Sequence, residues 1–377
     1  MNACVGDLIT PHVEACTIAV EWLGKDAMKK LKFQLNAETG CMTEEDTKRY
    51  FSAVGLAVFL FTLTYFLGGL LIGFLIGGIA PWLIDHDFLY NLITLIPLYG
   101  MAFPVLLLML RRLPKDAATI ENMGVSGFLK GLCVCQFFTI AGNFISIWLL
   151  SAYQMLSRRE LSNPAVTMTE DQSFWINLLF VAILGPVLEE LVFRKILCDR
   201  LLPLGEGYAV VISAAIFALV HGNFFQIFYA FFLGLIFGLI YVKTGRIRYS
   251  IIYHGAINFL NGVVSTWILE KIEPIINEDA INRMLELSQQ GTAESVREML
   301  HSFLIPMIPL LIYEAVAYGL AICGLVFLLV GYKRIRLTKG LLPPPEQGWV
   351  ANVFLNGGVA AALTCFAVIF VLSLMGS

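Results

Sequence analysis

The segment SFWINLLFVAILGPVLEELVFRKIL, Ser173–Leu197, decides the architecture. It opens as an apolar run and ends on two adjacent glutamates and an arginine. A run of this length and hydrophobicity reads as a bilayer-spanning helix. Charges in such a helix are costly, so they pair, face a polar cavity or take part in chemistry. Glu190 and Arg194 are four apart on one helical face and can form an ion pair. Glu189 lies about 100° around the helix from Glu190 and has no such local partner. It is left as the group that faces a cavity.

The rest of the chain repeats the apolar theme. Of 377 residues, 58% are apolar and only 14% charged, against about 25% charged in soluble domains. The expected fold is all-α: a polytopic transmembrane helical bundle of about eight to nine spans with a polar intramembrane active-site cavity. Nine segments fit, at approximately 52–80, 88–110, 131–153, 173–193, 207–221, 225–242, 249–269, 305–332 and 350–374. This division gives an N-terminal cytoplasmic amphipathic region at 1–50 and a transmembrane bundle at 51–375. Within the bundle lie a motif-bearing core at 173–262 and a polar outer insertion at 270–303.

With the N-terminus inside, 20 of the 25 lysines and arginines fall on the cytoplasmic side. The positive-inside rule therefore places the N-terminus in the cytoplasm and the protein in the cell membrane as a multi-pass chain. The mixed polarity of the first fifty residues predicts no cleavable signal peptide. NAETG (Asn36–Gly40) reads as a turn, and Thr43 with Asp46 as a capping box opening the first span. Gly69, Gly73 and Gly77, and likewise Gly234 and Gly238, recur every four residues and predict close helix packing in lipid. The eight cysteines form no CxxC pair or zinc-type spacing and read as small packing residues. A net charge of −3 gives no reason to expect nucleic acid as a partner.

Of five histidines, His12, His86 and His301 lie outside the apolar spans. His221 (IFALVHGNFF) and His254 (SIIYHGAINFL) lie within them. Phe217 shares a helical face with His221, and Asn258 shares one with His254. Depth arithmetic brings these groups to one level. Glu189 lies about 7–8 Å inside Arg194, and His254 about 9 Å inside Arg248. Glu189 and His221 each stand sixteen residues from Gly205, the turn between their helices. His221 then falls near the far end of its span, so the helices on either side of HGN should be short or broken.

A carboxylate, two imidazoles and a carboxamide suit hydrolysis. Glu189 with His221 can activate a water, while His254 and Asn258 can donate to the oxyanion formed when that water attacks an amide. A metal-free mechanism is preferred, because carboxamides are uncommon zinc ligands and no HExxH helix occurs. A zinc site of Glu189, His221 and His254 is the alternative. Glu314, in the eighth span, is expected to bond a neighbouring helix instead of joining the cluster.

EELVFR (189–194), FALVH (217–221) and HGAIN (254–258) resemble the EExxxR, FxxxH and HxxxN motifs of the CAAX-protease and bacteriocin-processing (CPBP, or Abi) family. TGRIRYSIIYHGAIN adds the Thr-Gly and Ser-Ile that often precede the last motif. The resemblance covers about 173–262 and implies a helical membrane bundle with its active site open to the cytosol. It implies Glu189 as the catalytic carboxylate, His221 as the group that orients water, and His254 with Asn258 as the oxyanion site. Lys195 departs from the glycine that many relatives carry after the arginine. The implied activity is that of an intramembrane endopeptidase acting on a peptide or membrane protein, lipidated in some relatives. Two other readings use the same residues: a non-catalytic scaffold or bacteriocin self-immunity protein, and a proton-coupled carrier. The second copy of the Glu/His set that a duplicated carrier would show is missing.

Overall fold

A computed structural model describes residues 31–170 and 172–375. The amphipathic helix expected in the first fifty residues falls mostly outside them, as do Cys4, His12 and Cys16. NAETG forms the expected turn: the Asn36 side chain accepts from the backbone N–H groups of Glu38 and Thr39, and Gly40 adopts φ +65°. Thr43 caps the next helix by accepting from Asp46 N–H at 3.1 Å. The capping box is half made, because the Asp46 carboxylate accepts from Gln34 N–H instead, at 2.7 Å.

The longer helices, in chain order, are α1 (Glu44–Ile79), α2 (Asp87–Leu110), α3 (Val125–Ser157), α4 (Phe174–Leu204), α5 (Glu206–Val220) and α6 (Ile227–Thr244). They continue as α7 (247–276), α8 (Glu278–Gln290), α9 (Ala293–Arg334), α10 (Trp349–Phe354) and α11 (Gly357–Met375). Seven of them are long and apolar enough to cross a membrane: α1 to α4, α6, α9 and α11. The remaining two of the nine sequence segments correspond to α5 and α7. The fifteen residues of α5 rise only about 22 Å, short of a hydrocarbon core of about 30 Å. Arg248, His254, Asn258 and Asn261 make α7 polar.

Half of the α6 window and 39% of the α4 window are buried inside the protein, against 17–28% for the other spans. α4 and α6 therefore form the centre. α5 packs on both of them, α3 packs on α6, and α7 packs on α4. α1 with α2 and α11 closes one side, and α9 covers the outer face of α3. Phe74, Ile79, Trp148 and Leu156 project outward at 73–86% exposure, as lipid-facing side chains do.

The short α5 ends where the sequence requires it. After His221, Gly222 turns the chain at φ +67°. Asn223 then satisfies the freed backbone, its amide nitrogen donating to the His221 carbonyl and its oxygen accepting from Gln226 N–H. A break at membrane depth requires such internal partners.

Gly234 and Gly238 do bring α6 against Ala214 and Val210 of α5. Gly69, Gly73 and Gly77 do not serve as expected: a methyl at each would meet open space. The close approach of α1 is made by Gly55 against α11 instead, where a side chain on Gly358 would collide with the Ser52 carbonyl. Gly358→Val should therefore destabilise the bundle by about 1–3 kcal/mol. Gly73→Val should leave the thermal unfolding midpoint in detergent within error of wild type. Equal midpoints for the two variants would refute this packing assignment.

The polar segment after α7 forms α8 and, beyond Thr292, the first turns of α9. Thr292 and Ser295 make a complete capping box there.

Candidate active site

The site is organised around a fully buried ion pair. Arg194 Nε donates to Glu190 Oε2 at 3.0 Å, and both side chains have zero exposure. Arg194 Nη1 donates to Ser213 Oγ of α5, and the guanidinium lies over the rings of Phe217 (5.1 Å) and Phe237 (5.9 Å). The pair expected from sequence is thus present, locking α4 to α5 and α6.

Glu190 does more than neutralise Arg194. Its second oxygen, Oε1, lies 3.1 Å from His254 Nδ1. A carboxylate held by arginine can only accept, so His254 carries a proton on Nδ1. The ring is further fixed by stacking on Phe237 at 5.1 Å and by an edge contact with Phe217 at 5.7 Å. Its Nε2 then faces Glu189 Oε2 at 3.8 Å. That is too long for a direct hydrogen bond, and it is a spacing at which one small bridging group can touch both. The Glu189 side chain is 24% exposed, whereas Glu190 has none. Two neighbouring glutamates therefore occupy opposite environments, one sealed and one open.

His221 also makes an edge contact with Phe217, 5.0 Å from its ring. Its Nδ1 lies 2.8 Å from the Phe217 carbonyl, which can only accept, so this ring is also protonated on Nδ1. In the neutral form, both histidines present Nε2 as an acceptor. Asn258 donates one amide hydrogen to the Val181 carbonyl at 3.0 Å, tying α7 to α4 and keeping one donor in reserve.

Among the described residues, no group of three or more His, Cys, Asp or Glu side chains is arranged to hold a metal ion. Lys195 turns away from the cluster towards Asp199 at 2.9 Å and Tyr241 at 3.2 Å, and its side chain is 51% exposed. Glu314 is half-buried on α9, and among the described residues no hydrogen bond or ion pair joins it to the cluster. The six described cysteines are free thiols.

Three features escaped sequence reading. Gln136 of α3 and Asn261 of α7 exchange two amide hydrogen bonds, at 3.0 and 2.9 Å, one turn beyond Asn258. Tyr65, Tyr99 and Tyr229 lie within electrostatic range of Glu189. Segments with i→i+5 geometry (Leu178–Leu184, Leu191–Cys198 and Phe259–Val264) flank the two glutamates and follow HxxxN. Such bulges are frequent at functional sites.

Residues 171–260 match the family described as type II CAAX prenyl endopeptidase Rce1-like, which bears out the resemblance read from the three motifs. The chain is 28% identical over 180 residues to the putative membrane peptidase YdiL of Bacillus subtilis (strain 168), covering 46% of this chain and 69% of that protein. It is 42% identical over 86 residues to the membrane-embedded CAAX protease MroQ of Staphylococcus aureus (strain USA300), covering 21% and 35%. With UPF0177 protein YbdJ of Lactococcus lactis it shares 30% over 149 residues, covering 37% and 65%. No solved structure matches the chain.

Proposed function

We propose that this multi-pass membrane protein, whose core is similar to the Rce1-like CAAX endopeptidases, hydrolyses peptide bonds within the membrane. The observation that carries the reading is the unequal glutamate pair: Glu190 sealed against Arg194 and His254, Glu189 open and facing the same imidazole.

Glu189 takes a proton from a water molecule, whose second hydrogen is accepted by Nε2 of neutral His221. The water oxygen attacks the peptide carbonyl. The developing oxyanion is met by the free amide hydrogen of Asn258 and by His254 Nε2–H, which exists when that ring is doubly protonated. Glu190 accepts from Nδ1 and so holds the ring with Nε2 towards Glu189. The proton held by Glu189 then passes to the leaving amine. No metal is needed for any of these steps.

The substrate class is a membrane peptide or membrane-protein segment, lipidated or not, reached from the cytosolic leaflet. The chain sits in the cell membrane with its N-terminus in the cytoplasm. Residues 1–50 form a cytoplasmic region, 51–375 the bundle, 173–262 its catalytic core and 270–303 a cap on the outer face.

The test is a comparison of membrane peptides between cells carrying wild type and cells carrying Glu189→Ala, with metal analysis of the purified protein. Peptides present only with wild type support the reading. Identical profiles would favour a non-catalytic scaffold, and stoichiometric zinc lost on His221→Ala would overturn the metal-free mechanism.

A further inference from the structure

A cavity of about 630 Å³, separate from the glutamate–histidine cluster, runs along the far face of α5 between α1 and α11. Its mouth is formed by the strap that joins α9 to α10, with Thr338, Lys339 and Glu346 on the rim. Its wall descends through Val211 and Ala215 to Leu219, two residues before His221. Val211 is 51% exposed although it lines the cavity, so the groove opens sideways into the bilayer. The strap is firmly seated: Glu206 N–H donates to the Thr338 carbonyl at 3.1 Å, and Leu342 N–H to the Pro203 carbonyl at 2.7 Å.

We propose that this groove holds an acyl chain of an anionic glycerophospholipid from the strap-side leaflet, with the lipid phosphate against the strap's cations. Three observations select this occupant. From Gly207 to Leu219, α5 rises about 18 Å, close to one leaflet of a hydrocarbon core of about 30 Å. A membrane-crossing helix would need the full thickness. Below the rim the lining is apolar, so an extended peptide would bury its N–H and C=O groups without partners, a cost that a hydrocarbon chain does not incur.

The strap carries Arg336 and Lys339, and Lys333 and Arg334 end α9 beside it; the facing acids are Glu346, which takes Lys339 at 2.9 Å, and Glu206, which pairs with Lys243 and accepts from Thr338 N–H at 2.8 Å. Among the described residues, Arg334 and Arg336 have no acidic partner, and both are exposed. A basic cluster at the end of an apolar groove is the complement of a phosphate above its fatty chain. The placement is independent of the peptidase reading.

The test reconstitutes the full chain in nanodiscs of equimolar phosphatidylglycerol and phosphatidylcholine, re-extracts it in detergent and counts retained lipid by mass spectrometry. Wild type should keep about one phosphatidylglycerol per chain, preferred over phosphatidylcholine by roughly tenfold. The double variant Arg336→Gln/Lys339→Gln should bring that preference towards unity, while Ala215→Trp and Val211→Trp should remove retention. Both lipids kept in their bulk ratio, no lipid kept by wild type, or full retention by the tryptophan variants would overturn the proposal. Should the tryptophans disturb folding, the strap variants still decide, because their side chains are exposed.

Discussion

Replacing Glu189 by glutamine lowers turnover of the membrane peptide that accumulates in Glu189→Ala cells by about 10²–10⁴-fold. The fold should be unaffected. Glutamine keeps the shape and the partial exposure of Glu189, which faces His254 Nε2 at 3.8 Å. It cannot take a proton from water. His254→Ala removes a donor to the oxyanion and should cost a comparable factor. The double variant should be scarcely slower than Glu189→Gln alone, since residues acting as one unit lose their effects non-additively. The measurement is kcat on purified protein in proteoliposomes, alongside the thermal unfolding midpoint. Full turnover in Glu189→Gln with an intact fold would remove Glu189 from the chemistry.

What the sequence revealed here follows from helical periodicity. The spacing EExxxR places a carboxylate and a guanidinium on one face, and 3.6 residues per turn separates the two glutamates. The HGN break appeared where the arithmetic required a short helix. Contacts between segments far apart in the chain were not readable. Nothing in the spacing of HGAIN indicates that His254 Nδ1 reaches Glu190, sixty-four residues earlier. The same holds for the Gln136–Asn261 exchange across 125 residues. The glycine pattern misled on α1, because repetition every four residues marks a smooth helix face and does not name the helix packed on it. Gly69, Gly73 and Gly77 form the more regular series, yet Gly55, outside it, makes the close approach to α11. The i→i+5 segments are set by tertiary packing, and no residue type announces them.

The largest effect on stability is expected at Glu190 and Arg194. Arg194→Met leaves the Glu190 carboxylate buried with only His254 and Ser250 to meet it, and Glu190→Gln leaves the guanidinium sealed among Ser213, Phe217 and Phe237. Breaking a buried pair by removing one partner costs about 3–5 kcal/mol, because an uncompensated charge remains. Each single variant should therefore unfold at a markedly lower temperature in detergent. The double variant Glu190→Gln/Arg194→Met carries no buried charge, and its midpoint should return towards wild type, since a neutral replacement of a buried ion pair is often harmless. Its turnover should not return. The glutamine carbonyl can still accept from His254 Nδ1, but the negative charge that balances a ring donating from Nε2 is gone. A double variant that recovers both stability and turnover would show that the pair serves packing alone. Recovery of stability without turnover would separate its two tasks: neutralising Arg194 and orienting the imidazole that faces Glu189.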